Sequence, residues 1–232
     1  DEQQKASNII KNLLFKSFEP IVLEGVTGSG KTEVYFESVE LAFKKNKQIL
    51  IMIPEISLTP QLEERFLKRF GFQPDIWHSK ITDKKRKNIW HRAYLGEPII
   101  VIGARSSLFL PFKKLGLIIV DEEHDISYKQ EENVRYQARD IAIVRAKIDK
   151  CNIILSSATP SLETLNNIDK KKFKHVFLKF QFSGLKLPEI ELIDLNENLL
   201  EKNKWISKQI LNELNICLGK KEQALLFLNR RG

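Results

Sequence analysis

Cysteine is scarce: Cys151 and Cys217 are the only two in 232 residues, and no Cys-x-x-Cys pair occurs. That excludes a zinc module or thiol-exchange motif within this stretch, and both read as small apolar side chains in a reducing compartment. Long hydrophobic runs are lacking too. The longest, residues 49–53 and 117–120, fall far short of the roughly 20 that span a bilayer, so they read as buried strands and no membrane partner is expected. No internal repeat or low-complexity tract breaks the chain. The opening Asp1-Glu2-Gln3-Gln4-Lys5 has neither an initiator methionine nor the basic-then-apolar pattern of a secretory signal. The expectation is a piece of a longer cytoplasmic protein.

What is present is enough for one large core, or one domain and the start of another: 42% of residues are apolar and 29% charged. Lys plus Arg outnumber Asp plus Glu by 38 to 30, giving net charge +8 and favouring a polyanion such as nucleic acid as partner. Much of the excess is lysine, in runs such as Lys84-Lys85 and Lys170-Lys171-Lys172, which serve equally well as solvated faces.

Short apolar runs alternate with amphipathic stretches, the pattern of a parallel sheet covered by helices on both faces. Strands are predicted at 20–24, 48–53, 74–77, 98–102, 115–120, 152–156 and 223–228. Between 31 and 46, Tyr35, Val39, Ala42 and Phe43 recur at i, i+4, i+7 and i+8 and form the packing stripe of a helix. A last helix is predicted over 204–218. Near residue 170 the texture shifts to Lys170-Lys171-Lys172 and a turn around Gly184 to Pro188, read as a link between lobes. The division is 1–170 for a first domain, 171–222 for connecting elements, and 223–232 for the first strand of a second domain.

The most specific signal is Gly25-Val26-Thr27-Gly28-Ser29-Gly30-Lys31-Thr32, a G-x-x-x-x-G-K-[ST] phosphate loop placed after a strand and at the start of a helix. Its glycines let successive N–H groups, with that of Ser29, turn toward phosphate, and the helix N-terminus adds positive potential. Lys31 is assigned to the β and γ phosphates of ATP, and the Thr32 hydroxyl to Mg²⁺. Asp121-Glu122-Glu123-His124 follows a predicted strand at the end where α/β sheets bind ligands. Asp121 is assigned to Mg²⁺ and Glu122 to the attacking water.

The strings GVTGSGKTEVY (25–35), IPEISLTPQ (53–61), LIIVDEEHDISYKQ (117–130), RYQARD (135–140), SSATPSLET (156–164) and FLNRRG (227–232) together resemble superfamily-two helicases of the DEAH type, and among them the PriA-type primosomal helicases. The resemblance covers essentially the whole chain. It implies a RecA-like α/β lobe and an ATP-driven 3′-to-5′ DNA helicase of replication restart. Forked and single-stranded DNA, other primosome proteins and single-strand-binding proteins are the implied partners. It makes Gln3 the adenine reader, with Gln4 adjacent. It assigns Ser57, Thr59, Arg105 and Ser106 to loops on the DNA backbone; without it, Ser57, Thr59 and Ser106 read equally as helix caps. His124, Ser157 and Thr159 become a relay between nucleotide and DNA, where a lone histidine would read as a structural hydrogen-bonding group. Tyr128, Lys129, Gln130, Arg135, Tyr136 and Arg139 fall in an aromatic-rich loop whose rings would stack on bases while its cations meet phosphates. Gln137 departs from the pattern, which has histidine there.

The resemblance further implies a fork-binding region, a cysteine-rich zinc insertion and a second motor lobe carrying arginines, all outside these residues. The 232 residues are therefore expected to hydrolyse ATP slowly. Three alternatives stay open: another superfamily-two translocase acting on DNA or RNA, an assembly scaffold with a vestigial nucleotide site, and a P-loop kinase.

Overall fold

Runs such as 117–120 carry apolar side chains at every position, and a strand of that kind is stable only when both its faces are covered. The computed structural model of the chain describes residues 2–16, 19–54, 60–181, 189–195 and 206–227. In chain order its elements are α1 (Glu2–Leu13), β1 (Ile21–Gly25), α2 (Lys31–Lys44), β2 (Gln48–Met52), α3 (Pro60–Phe70), β3 (Asp75–Trp77), α4 (Asp83–Leu95), β4 (Ile100–Gly103), β5 (Leu115–Asp121), β6 (Lys129–Gln130), β7 (Tyr136–Gln137), α5 (Ala138–Ile148), β8 (Asn152–Ser157), α6 (Leu162–Asp169), β9 (Lys174–Leu178) and α7 (Lys208–Gly219).

Seven strands form one parallel sheet in the order β3-β4-β2-β5-β8-β1-β9. Alternate residues feed two cores. Ile49, Ile51 and Ile119 join Ile10 of α1, Val39 of α2 and Phe66 of α3 on one face, whereas Leu50, Met52 and Ile118 meet Ile89 of α4 and Ala142 of α5 on the other. The result is a helix–sheet–helix sandwich, the α/β, RecA-like class expected from the sequence. Cys151 is buried and its thiol pushed up to about 12 by that burial, so it behaves as a small core residue.

The predicted ends shift by a residue or two where caps decide them. Residues 31–46 give a helix only to Lys44, because Asn46 takes φ 54° and leaves the helical region. Several expectations need larger correction. Residues 2–13 are helical through the Ala6 and Ile10 stripe, which the sequence reading left unassigned. Lys174–Leu178, read as connecting chain, is the edge strand beside β1, pairing from Ile21↔Lys174 to Gly25↔Leu178. Its Lys-His-Val-Phe-Leu pattern buries only Val176 and Leu178, too short an alternation to register as a strand.

The first compact unit thus runs to residue 185, and a second comprises 186–232. Within that second unit, α7 (Lys208–Gly219) is capped by Ser207, whose Oγ accepts from Ile210 N at 3.3 Å; of the helix predicted over 204–218, residues 204 and 205 lie outside the described residues. Of the strand predicted at 223–228, residues 223–227 carry no regular secondary structure, and Leu225 and Phe227 stand 93% and 85% exposed. No described strand pairs with this segment. Residue 228 lies outside the described residues. No described helix is long and apolar enough to cross a membrane.

Candidate nucleotide site

β1 leads into the loop 25–32, and Lys31 opens α2. Gly30 caps that helix at φ 86°, where L side chains are strained, and a Cβ there would run into the Gln3 amide. Gln3 reaches the loop from α1, its Nε2 donating to the Ser29 carbonyl at 2.8 Å. Gly25 admits no side chain either, since a Cβ would lie 2.6 Å from Ser29 Oγ and 2.9 Å from Leu178 Cβ. The loop is therefore wedged between α1 and β9, the two elements the sequence reading overlooked. Lys31 is buried and its Nζ donates back to the Gly25 carbonyl at 2.8 Å, while Thr27 and Gly28 are exposed at the rim.

The acidic motif arrives from β5. β8 lies between β5 and β1, so phosphate loop and acidic tip stand two strand spacings apart, roughly 10 Å. Burial pushes the Asp121 carboxyl above its usual range, opposed by hydrogen bonds from Tyr35 and the Glu122 N–H; Tyr35 Oη donates to Asp121 Oδ2 at 3.0 Å. Glu122 turns the chain at φ 47°, and burial followed by the neighbouring Asp121 charge raises its carboxyl too.

Between loop and acids opens a cleft of about 480 Å³, lined by Gln3, Gly28, Lys31, Thr32, Arg65 and Glu122 among others. That size suits a small-molecule ligand. No described group of three or more His, Cys, Asp or Glu side chains could hold a metal alone. A divalent ion here must share its shell with substrate phosphates and water, the habit of Mg²⁺, and the Thr32 hydroxyl with the Asp121 carboxylate fits that role.

Beside the acids a set of polar contacts leads sideways. His124 Nδ1 lies 2.7 Å from Ser157 Oγ and 3.7 Å from Glu122 Oε2, and Ser157 Oγ accepts from Thr159 N at 2.9 Å. Tyr128 is buried, with Oη donating to the Asp121 carbonyl at 2.6 Å, so its ring is not offered to a base. Arg105 donates from Nη1 to the carbonyls of Ser127 at 3.0 Å and Lys129 at 2.8 Å, binding the β4 tip to this loop; Ser106 beside it is exposed.

β6 and β7 form an antiparallel hairpin over a cavity of about 830 Å³, lined in part by Lys129, Gln130, Arg135, Tyr136 and Arg139. This is larger than the nucleotide cleft, but holds neither phosphate loop nor acid pair. Lys129 pairs with Glu131 at 2.7 Å, and Tyr136 meets the exposed Phe109 ring edge-on at 5.4 Å. Arg139 does not project as expected. It is 5% exposed and turned inward, donating to Glu123 Oε2 at 3.1 Å and Ser161 Oγ at 2.5 Å, because Glu123 is wholly buried and needs a counter-charge. Ser57 and Thr59 lie outside the described residues.

A DEAD/DEAH box helicase model matches residues 2–168, most of the sheet and every described element around the cleft except β9. The chain belongs to the DEAD/DEAH box helicase family. Such helicases bind nucleotide with Mg²⁺, in keeping with the cleft. The helicase chain is similar to the Replication restart protein PriA of Rickettsia felis, 49% identical over 231 residues that cover 100% of this chain and 35% of that protein. The same-named protein of Bacillus subtilis is 42% identical over 234 residues, covering 100% of this chain and 29% of its own length. The chain thus spans about a third of these relatives. Among solved structures it resembles RecG bound to a three-way DNA junction (TM-score 0.52, 23% identity, 76% of this chain and 23% of that one) and the Pyrococcus furiosus Hef helicase domain (TM-score 0.53, 18% identity, 75% and 37%). At these identities the likeness shows a shared fold.

Three residues of the helicase site escaped the sequence reading. Tyr35 looked like part of an apolar stripe, yet a buried phenol needs a partner and finds Asp121. Glu123 lay inside the acidic motif without an assigned role. Arg65 reaches the cleft from α3, which no spacing rule connects to the phosphate loop.

Proposed function

We propose that this helicase chain is the ATP-binding motor lobe of a replication-restart DNA helicase that moves 3′ to 5′. One observation carries the reading. The phosphate loop and the acid pair flank β8, and the tip of β8 holds Ser157, which bonds His124 of the acidic motif. A change at the nucleotide therefore reaches the loops after β4, β5 and β8 through bonded groups. The similarity to replication-restart proteins over the full chain supports the choice of DNA and of that role.

In this reading Lys31 and the loop N–H groups grip the β and γ phosphates of ATP. Thr32 and Asp121 hold Mg²⁺, which neutralises charge on those phosphates when bound. Glu122 takes the proton of the attacking water, a task helped by its raised basicity. Gln3, which lies over the phosphate loop and lines the cleft, is assigned to the adenine. Lys129, Arg135 and Tyr136, with Arg105 and Ser106, face single-stranded or forked DNA; other primosome and single-strand-binding proteins are the further partners. An arginine supplied in trans accelerates related P-loop enzymes by about 10³- to 10⁵-fold, so the 232 residues by themselves are slow.

The test is ATP turnover by the full-length gene product with single-stranded DNA, forked DNA and RNA at fixed salt. Turnover should rise with DNA more than with RNA, and Lys31→Ala should abolish both Mg·ATP uptake and unwinding. Normal unwinding by Lys31→Ala would move the assignment to a scaffold; stimulation by RNA alone would move it to an RNA translocase.

A further inference from the structure

Arg65 stands apart from the residues that dock α3. That helix is held to α2 by rings, with Phe66 fully buried and edge-on to Phe36 at 5.7 Å, and by Arg69, which reaches Glu40 at 3.5 Å. Arg65 instead lines the nucleotide cleft beside Thr32 and Glu122. Its guanidinium is parked on one carboxylate, with Nη2 2.8 Å and Nε 2.9 Å from Glu33 Oε1, and the two side chains are 46% and 41% exposed. A pair so exposed costs little to open. A phosphate offers the same planar fork more charge and several acceptor oxygens.

Resting on the function proposed above, we propose that Arg65 is a substrate-contacting residue supplied in cis, which leaves Glu33 to bind the terminal phosphate of ATP. Glu33 is then its competitor. It follows Thr32 in the first turn of α2, the end of the helix from which Tyr35 bonds the Asp121 carboxylate at 3.0 Å, so the contact belongs to the terminal phosphate, at the acidic end, rather than to the base.

The competition separates this role from a merely structural one. If the pair only ties α3 to α2, Arg65→Ala and Glu33→Gln delete the same tie and shift nucleotide affinity in the same direction. If Arg65 takes phosphate, the two shift it in opposite directions. The experiment is titration of the full-length gene product with Mg·ATP and Mg·ADP, read by calorimetry. Arg65→Ala should weaken ATP binding about 10- to 100-fold, the range for one lost charged hydrogen bond, with ADP changed less and Arg65→Lys intermediate. Glu33→Gln should tighten ATP binding several-fold, and most of that gain should vanish when Arg65→Ala is added. Same-direction shifts, equal losses for ATP and ADP, or a Glu33→Gln gain that persists without Arg65 would each overturn the assignment. No Mg·ATP uptake by the unsubstituted protein would overturn the proposed function as well.

Discussion

Three adjacent carboxylates, Asp121, Glu122 and Glu123, meet different fates because β5 ends beneath them. Asp121 stays at the strand tip under the Tyr35 hydroxyl, Glu122 turns toward the cleft, and Glu123 points into the protein. There Glu123 accepts from Arg139, from Ser161 N at 2.7 Å and from Thr164 Oγ1 at 3.0 Å, joining the acidic motif to α5 and to the start of α6. Breaking such a pair from one side strands a charge without water. Arg139→Ala should cost roughly 3–5 kcal/mol of stability, seen as a lower urea midpoint at unchanged slope, before any effect on nucleic acid is measured. The family resemblance put Arg139 in an aromatic-rich loop as a cation for DNA; the depth at which Glu123 is buried turns it inward instead. A motif records which residue types recur, not which of two neighbouring carboxylates faces water.

At the scale of elements, α1 holds Gln3 over the phosphate loop, and its attachment to α2 centres on Glu37. That carboxylate accepts from Ser7 Oγ and Lys11 Nζ, both at 2.5 Å, and these hydrogen bonds hold it below the usual glutamate range, Lys11 foremost. A lowered folded-state value means that the unfolded chain takes up the proton first. The stabilisation is therefore complete above the ordinary glutamate range and lost as pH falls through the depressed folded value. Glu37→Gln should cost about 1 kcal/mol near neutrality, and its urea stability should converge with that of the unsubstituted chain in acid. A difference constant across pH would remove the carboxylate from this role. The Ala6 and Ile10 spacing that makes α1 helical was visible in the sequence. What it packs on was not, because the Ser7–Glu37 contact joins segments 30 residues apart.

For the molecule as a whole, the position of β9 matters most. It pairs with β1 along its length, and Leu178 closes against Gly25 at the base of the phosphate loop. A chain ended at residue 172 would leave β1 as a bare edge, open to strand addition from another molecule. Such a truncation should aggregate or unfold without a cooperative transition, whereas one ended at residue 185, where the first compact unit closes, should unfold cooperatively. Equal behaviour of the two would mean that β9 is dispensable to the sheet.

The sequence by itself determined the class of fold and the residues at the phosphate loop and acidic tip. Both follow from local rules: apolar runs that must be buried on two faces, and a backbone turn that only glycine can make beside a helix start. The tertiary structure decided strand order, and with it that β8 stands between loop and acids, that β9 braces Gly25, and that Arg65, Tyr35 and Glu123 belong to the site. Those outcomes depend on which distant segments share a sheet edge or a buried charge, and nothing in the local spacing of a chain encodes such pairings.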